Sequence, residues 1–170
     1  MLTAVVQGLL AGEADTTDAP ANVLARVNRA LCRRNVAARF VTAFYGHVGS
    51  NGRLRYCNAG HNPPFLIGAK GALRLETGGC VLGLFDHATF ETGEADFVKD
   101  DLLVLFSDGV TEAENAEGEE FGDDRLAACV YAVRNGSAAE VRDAVEKAVL
   151  AFAGAVLMRD DVTVLVLRGK

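Results

Sequence analysis

Two apolar segments, each with acidic residues at one end, constrain the fold of this chain more than any other feature. The first is Leu102–Phe106, five apolar residues in a row, and Ser107-Asp108-Gly109 follows it directly. An uninterrupted apolar run of this length predicts a strand that is buried on both faces. Gly109 allows a backbone conformation or a close approach that a Cβ atom would forbid. We therefore predict that Asp108 is held rigidly at the end of a buried strand.

The second segment, residues 162–167, carries Arg159-Asp160-Asp161 at its start, and it also predicts a strand buried on both faces. If the two strands are antiparallel neighbours, Asp108 meets Asp160 and Asp161 at one edge of the sheet. Clustered carboxylates repel one another unless a cation intervenes, and an all-oxygen cluster selects hard cations such as Mg²⁺ or Mn²⁺. The alternative is a strand-to-helix turn in which Asp108 only accepts backbone N–H bonds. The sequence leaves both interpretations open.

Length, composition and charge bound the class of protein. The chain has 170 residues, 50% of them apolar, which fits one globular domain over residues 1–170. No apolar run is long enough to span a bilayer, and the first residues do not have the pattern expected of a signal peptide. The net charge of −6 argues against nucleic-acid binding. The cysteines lack C-x-x-C spacing and predict buried or half-buried free thiols in a cytoplasmic protein: Cys32, Cys57, Cys80 and Cys129.

The remaining segments predict hairpins and paired helices. Residues 49–52 and residues 68–71 are turn signals between short strand-like segments, so two β-hairpins are expected. Asp18 can cap a helix, and Ser137 with Glu140 forms a capping box before a later one. This order of elements predicts an α+β layered sandwich of mostly antiparallel sheets covered by helices. The first helix has no start signal, which favours a chain that is incomplete at its N-terminus.

A third polar segment, Asn58-Ala59-Gly60-His61-Asn62-Pro63-Pro64, follows the first hairpin. His61 is the most informative of the three histidines because it lies between a glycine and a turn-forming Asn-Pro pair. Two interpretations stay open for it. It is either a loop histidine bonded to the backbone or a side chain that supports an active site.

The three polar segments occur in a fixed order, with the glycine-rich residues 79–83 and Phe121-Gly122 between them. Together they resemble the SpoIIE/RsbU branch of the PPM (protein phosphatase 2C-like) serine/threonine phosphatases, from Met1 to the C-terminus. The resemblance implies a four-layer α/β/β/α sandwich of two antiparallel sheets flanked by helix pairs. It also implies bacterial stress or sigma-factor signalling, in which phosphoserine or phosphothreonine is hydrolysed by metal-activated water with two Mn²⁺ or Mg²⁺ ions. The partners it implies are a phosphorylated protein substrate, commonly a STAS-type anti-sigma-factor antagonist, and an upstream sensor or receiver domain.

By this resemblance Asp108 and Asp160 are catalytic metal ligands, and Gly109 permits the tight approach at the metal. Four further residues are expected beside the ligands or on the substrate side: Asp161, His61, Asn62 and Gly60. Ser107 lacks a base partner and is not expected to be a nucleophile.

One departure from the family pattern limits these expectations. The family's Asp-x-Ser-Gly-His/Lys-Gly motif, whose Asp bridges the two metals, is absent from the chain. We therefore expect one metal to be lost and this chain alone to be weakly active or inactive. The alternative is a non-catalytic PPM-like module that binds a phosphoprotein or a regulatory partner. A divalent-metal nuclease is disfavoured by the acidic charge and the lack of a basic track.

Overall fold

The computed structural model describes residues 2–13, 19–33 and 40–170. The chain divides into two compact units, Met1–His61 with Glu76–Asp96, and Asn62–Leu75 with Phe97–Lys170. The cap expected at Asp18 lies outside the described residues. The elements are, in chain order, α1 (Leu2–Ala11), α2 (Pro20–Arg33), β1 (Ala43–Val48), β2 (Arg53–Ala59), β3 (Phe65–Gly68), β4 (Gly71–Arg74), β5 (Gly78–Gly79), β6 (Gly93–Asp96), β7 (Leu102–Phe106), α3 (Asp108–Thr111), α4 (Gly122–Ala132), α5 (Ala138–Ala153) and β8 (Val164–Arg168).

The first unit combines α1 and α2 with a four-stranded sheet. β1 and β2 form the first predicted hairpin, and β6 also pairs antiparallel with β2. The two-residue strand β5 pairs parallel to β2, so this sheet is not wholly antiparallel. α2 begins with Pro20, which fits the first helical position because that N–H has no partner within the helix. Its apolar face packs against the sheet through buried side chains: Leu24, Val27, Leu31, Cys57, Ala59 and Leu82.

The second unit contains an antiparallel sheet with the strand order β4-β3-β7-β8. β3 and β4 form the second predicted hairpin. β7 lies inside the sheet, and both Leu102 and Val104 are fully buried, which agrees with the prediction for this segment. α4 and α5 cover one face through Leu126, Val130, Val141, Val145 and Val149.

The capping box that starts α5 is present as predicted. The Glu140 N–H donates to the Ser137 hydroxyl at 3.2 Å, and the Ser137 N–H donates to the Glu140 carboxylate at 2.7 Å. These two bonds satisfy donors that the first turn of a helix leaves without partners.

β8 contradicts the prediction of a strand buried on both faces. It is an edge strand of the sheet, and its burial alternates along the chain. Val164 and Val166 pack on the core, whereas Leu165 is 52% and Leu167 is 43% exposed. On the outer face of the segment Thr163 is followed by two leucines, and this single polar residue did not distinguish burial on one face from burial on both.

The cysteines are free thiols, as expected. Cys80 is exposed, which contradicts the expectation that all four are at least half-buried. Burial raises the pKa of the Cys57 thiol to about 11, so Cys57 stays protonated and unreactive at neutral pH. In the part of the chain that the structure describes, no helix has both the length and the apolar character to cross a membrane.

Candidate functional site

The ladder between β7 and β8 brings acidic residues from two distant segments to one end of a sheet. The antiparallel pairing runs from Leu102↔Arg168 to Phe106↔Val164. Asp108 therefore lies just beyond the end of β7, and Asp160 and Asp161 lie just before the start of β8. All three are exposed to solvent. The antiparallel pairing of these two strands, which could only be assumed from the sequence, is present in the structure.

Gly109 lies directly against the backbone of the acidic segment. A Cβ atom built on it would lie 2.6 Å from the carbonyl oxygen of Asp161 and 3.2 Å from that of Asp160. The first distance is shorter than real Cβ contacts, so a side chain at this position would push the two segments apart. Gly109 was expected to allow a close approach, and the group that it approaches is the backbone of Asp160 and Asp161.

Ser107 connects the same two segments through its hydroxyl group. Its Oγ donates to the Asp161 carbonyl at 2.8 Å and accepts the Thr163 N–H at 2.9 Å. Its backbone N–H donates to the Thr163 carbonyl at 3.0 Å. The sequence only excluded Ser107 as a nucleophile. Its partners lie more than 50 residues away, so no local signal pointed to this role.

The Asp108 carboxylate caps its own turn with one of its two oxygens. Asp108 Oδ1 accepts the Gly109 N–H at 3.0 Å. The Asp108 carbonyl accepts the Glu112 N–H at 2.8 Å, which closes the single turn of α3. The bond from the Gly109 N–H is the kind of bond expected if Asp108 belonged only to a strand-to-helix turn. Within the described ranges Oδ2 accepts no hydrogen bond, so one oxygen remains available to a cation.

An acidic cavity of about 140 Å³ opens beside Gly109 and Asp160. Three glutamates contribute to its wall: Glu112, Glu114 and Glu120. Arg159 also lines the cavity and pairs with Glu114 at 2.6 Å. The lining therefore holds four carboxylates against one guanidinium, which favours cations over anions. No sequence pattern marked these glutamates as site residues, although all three lie within a dozen residues of the Asp108 turn.

The donor chemistry at this end of the sheet fits Mg²⁺ or Mn²⁺, which prefer carboxylate oxygens. Asp108 and Asp160 are the residues that could hold such an ion. Among the residues that the structure describes, no group of three or more His, Cys, Asp and Glu is arranged to hold a metal ion. The four carboxylates that line the cavity are therefore not gathered into the ligand set that a two-metal centre needs.

The segment around His61 is fixed by a buried asparagine. Asn58 is 4% exposed; its Nδ2 donates to the His61 carbonyl at 2.9 Å, and its Oδ1 accepts the His61 N–H at 2.8 Å. Gly60 adopts φ +69°, and a Cβ there would lie 2.6 Å from a methyl group of Val81. Gly60 and His61 belong to the first unit, and Asn62 begins a segment of the second. The functional roles of Gly60, His61 and Asn62 stay predictions.

Comparison with solved structures defines the class of fold. The chain matches the SiaA-PP2C domain of Pseudomonas aeruginosa with a TM-score of 0.83 at 19% sequence identity, over 98% of this chain and 67% of that chain. The fold is that of a PP2C-type phosphatase domain, which confirms the expected fold class.

Sequence comparison identifies the family. The model of Stage II sporulation protein E (SpoIIE) matches residues 1–170, so the chain belongs to the SpoIIE family, as the motifs predicted. It is 33% identical to Protein IcfG of Synechocystis sp. over 131 residues, 75% of this chain and 20% of that protein. It is 34% identical to Phosphoserine phosphatase RsbU of Bacillus subtilis over 102 residues, 58% of this chain and 30% of that protein. The chain thus spans less than a third of the length of either relative.

Proposed function

We propose that this chain is the catalytic domain of a metal-dependent protein phosphatase that hydrolyses phosphoserine or phosphothreonine. The observation that carries the proposal is the close approach of Gly109 to the Asp160 and Asp161 carbonyls, which leaves no room for a Cβ atom. It sets two carboxylate-bearing turns side by side at the end of a rigid strand pair. Membership of the SpoIIE family supports the reaction class, and the Bacillus subtilis relative is named a phosphoserine phosphatase.

In the proposed site, Asp108 and Asp160 hold Mn²⁺ or Mg²⁺, and Gly109 keeps the two turns close. When bound, the cations would supply a nucleophilic water at neutral pH and offset the negative charge of the phosphoryl oxygens. The cavity glutamates repel a free phosphoryl group, so its binding here depends on the cation. The strands fix the backbone of both turns, and positioning is most of what phosphoryl transfer asks of a protein.

The proposed partner is a phosphorylated regulatory protein, with a STAS-type anti-sigma-factor antagonist as the expected example. Similarity to RsbU supports a substrate that carries phosphoserine. We place the protein in the cytoplasm, where thiols stay reduced, because all four cysteines are free.

The proposal is tested by Mn²⁺-dependent hydrolysis of a phosphoserine peptide. The assay uses the chain itself and the full-length product of its gene, each with Asp160→Asn and with Asp124→Asn as the control. Asp124 is an exposed carboxylate in the first turn of α4, and it is not one of the residues that line the acidic cavity. We expect slow turnover by the chain alone, since few ligands lie together. Asp160→Asn should reduce turnover of the full-length protein by about a hundredfold or more, because loss of a group that merely supports a metal ligand already costs up to that amount.

The second candidate function is a PPM-like module that binds a phosphoprotein without hydrolysing it. The small number of gathered ligands favours it. A full-length protein that binds the phosphopeptide but shows no Mn²⁺-dependent turnover would support this function and contradict the phosphatase proposal. Equal turnover by Asp160→Asn and Asp124→Asn would remove Asp160 from the mechanism.

A further inference from the structure

We propose that Ser107 is a positioning residue, whose hydroxyl holds Asp160 and Asp161 in register with Asp108 for cation binding. This inference rests on the proposed metal site. It concerns a residue for which the sequence predicted no role, and it follows from three hydrogen bonds and one close backbone contact.

The β7–β8 ladder stops before the acidic residues are reached. Its last pair is Phe106↔Val164. The backbone bond from the Ser107 N–H to the Thr163 carbonyl, at 3.0 Å, adds one more link. Beyond that link, sheet pairing no longer fixes where Asp160 and Asp161 lie relative to Asp108.

The Ser107 hydroxyl makes the next hydrogen bonds between the two segments, beyond the end of the ladder. Oγ accepts the Thr163 N–H at 2.9 Å and donates its proton to the Asp161 carbonyl at 2.8 Å. One atom therefore binds two positions of the opposite segment. A short side chain that can donate and accept at once is needed here, and a hydroxyl provides both functions.

Gly109, which follows Asp108, lies so close to the same carbonyl oxygen of Asp161 that a Cβ atom would be 2.6 Å from it. The residues before and after Asp108 are thus both placed against the backbone of residues 160–161. If Ser107 loses its hydroxyl, the Thr163 N–H and the Asp161 carbonyl lose a partner, while the strand pairing and the Gly109 contact remain. The expected result is a folded protein in which the two carboxylates are less well aligned.

The test measures Mn²⁺ affinity by calorimetry at a temperature where all variants are folded. Ser107→Ala should bind Mn²⁺ about tenfold more weakly, as is typical when a group that orients a metal ligand is removed. Ser107→Thr should restore wild-type affinity, because it keeps the hydroxyl and because threonine readily adopts the extended backbone at this position, φ −81° and ψ 162°. Amide hydrogen exchange should show faster exchange at Thr163 in Ser107→Ala only.

Ser137→Ala is the matched control. It makes the same substitution in the same unit and removes a hydroxyl that also accepts a backbone N–H, at the start of α5. It should lose stability without changing Mn²⁺ affinity. If Ser107→Ala does not fold, Ser107→Cys takes its place, because it keeps the size of the side chain and weakens its hydrogen bonds.

The outcomes separate this inference from the proposed function. If the wild-type protein binds no Mn²⁺, the metal site itself is wrong. If the wild type binds Mn²⁺ and the variant at residue 107 binds it equally well, with only the stability loss seen in Ser137→Ala, the positioning role is overturned. Weaker binding that Ser107→Thr restores supports it.

Discussion

Gly109 is the glycine of the candidate site at which one added methyl group would meet the acidic segment. In Gly109→Ala the new Cβ would meet the Asp161 carbonyl at 2.6 Å, and relief requires movement of one acidic turn. We expect a loss of about 1–3 kcal/mol in the free energy of unfolding, the usual cost of overpacking, measured by urea denaturation. Mn²⁺ affinity should fall as well.

Gly8→Ala is the control for Gly109→Ala. Gly8 is inside α1, and a Cβ there meets nothing within 4 Å. Alanine at this position should leave stability unchanged or raise it by up to about 1 kcal/mol, because glycine is a poor helix former. Equal stability of Gly109→Ala and the wild type would contradict the close approach of the two turns.

At the residue scale, the sequence predicted candidate metal ligands, and their role stays a prediction; it did not indicate which side chains hold the backbone of these ligands in place. Asp108 and Asp160 stand out because an acid interrupts an apolar pattern. Ser107 and Asn58 do not stand out, because their roles depend on strand register and on the path of a loop. Those relations exist only after the chain has folded.

At the scale of elements, Asn28 joins α2 to a loop of the first unit. It is fully buried; its Nδ2 donates to the Phe85 carbonyl at 2.8 Å, and its Oδ1 accepts the Gly83 N–H at 2.8 Å. Asn28→Ala leaves both backbone groups without this partner, so the free energy of unfolding should fall by about 1–3 kcal/mol. Asn22→Ala, an exposed position on the same helix, should change it by less than about 0.5 kcal/mol. Similar losses in the two variants, measured by urea denaturation, would contradict the anchoring role of Asn28.

The predictions for β7 and β8 had different outcomes for a physical reason. β7 has a neighbour on each side in its sheet, and it was predicted to be buried on both faces; four of its five residues are buried and Leu105 is partly buried. β8 is also mostly apolar, but it lies at the sheet edge, and its outer leucines are partly exposed. An apolar segment tends to be buried, but the position of its strand in the sheet decides how much of it is buried. That position depends on the whole fold and cannot be read from the segment itself.

At the scale of the whole molecule, the order of three polar segments was more informative than any single element. Each segment alone fits an ordinary turn. Together, in that order, they predicted the family and the fold class, and the family match over residues 1–170 confirms the family. The single domain predicted for these residues stays a prediction, as do the ligand roles. The number of ligands in reach of a cation could not be predicted, because it depends on loop backbones that follow no periodic pattern.

The central claim is that the turns carrying Asp108 and Asp160 form one site for a divalent cation. Its most direct test is the melting temperature of the chain during a Mn²⁺ titration, for the wild type, Asp108→Ala and the control Asp124→Ala. A ligand that binds only the native state stabilises it by about 2.7 kcal/mol at a hundredfold excess over its dissociation constant. We predict a melting temperature that rises with millimolar Mn²⁺ in the wild type and in Asp124→Ala, and that does not respond in Asp108→Ala. A wild-type melting temperature that is unchanged across the titration, or an equal rise in Asp108→Ala, would contradict the account.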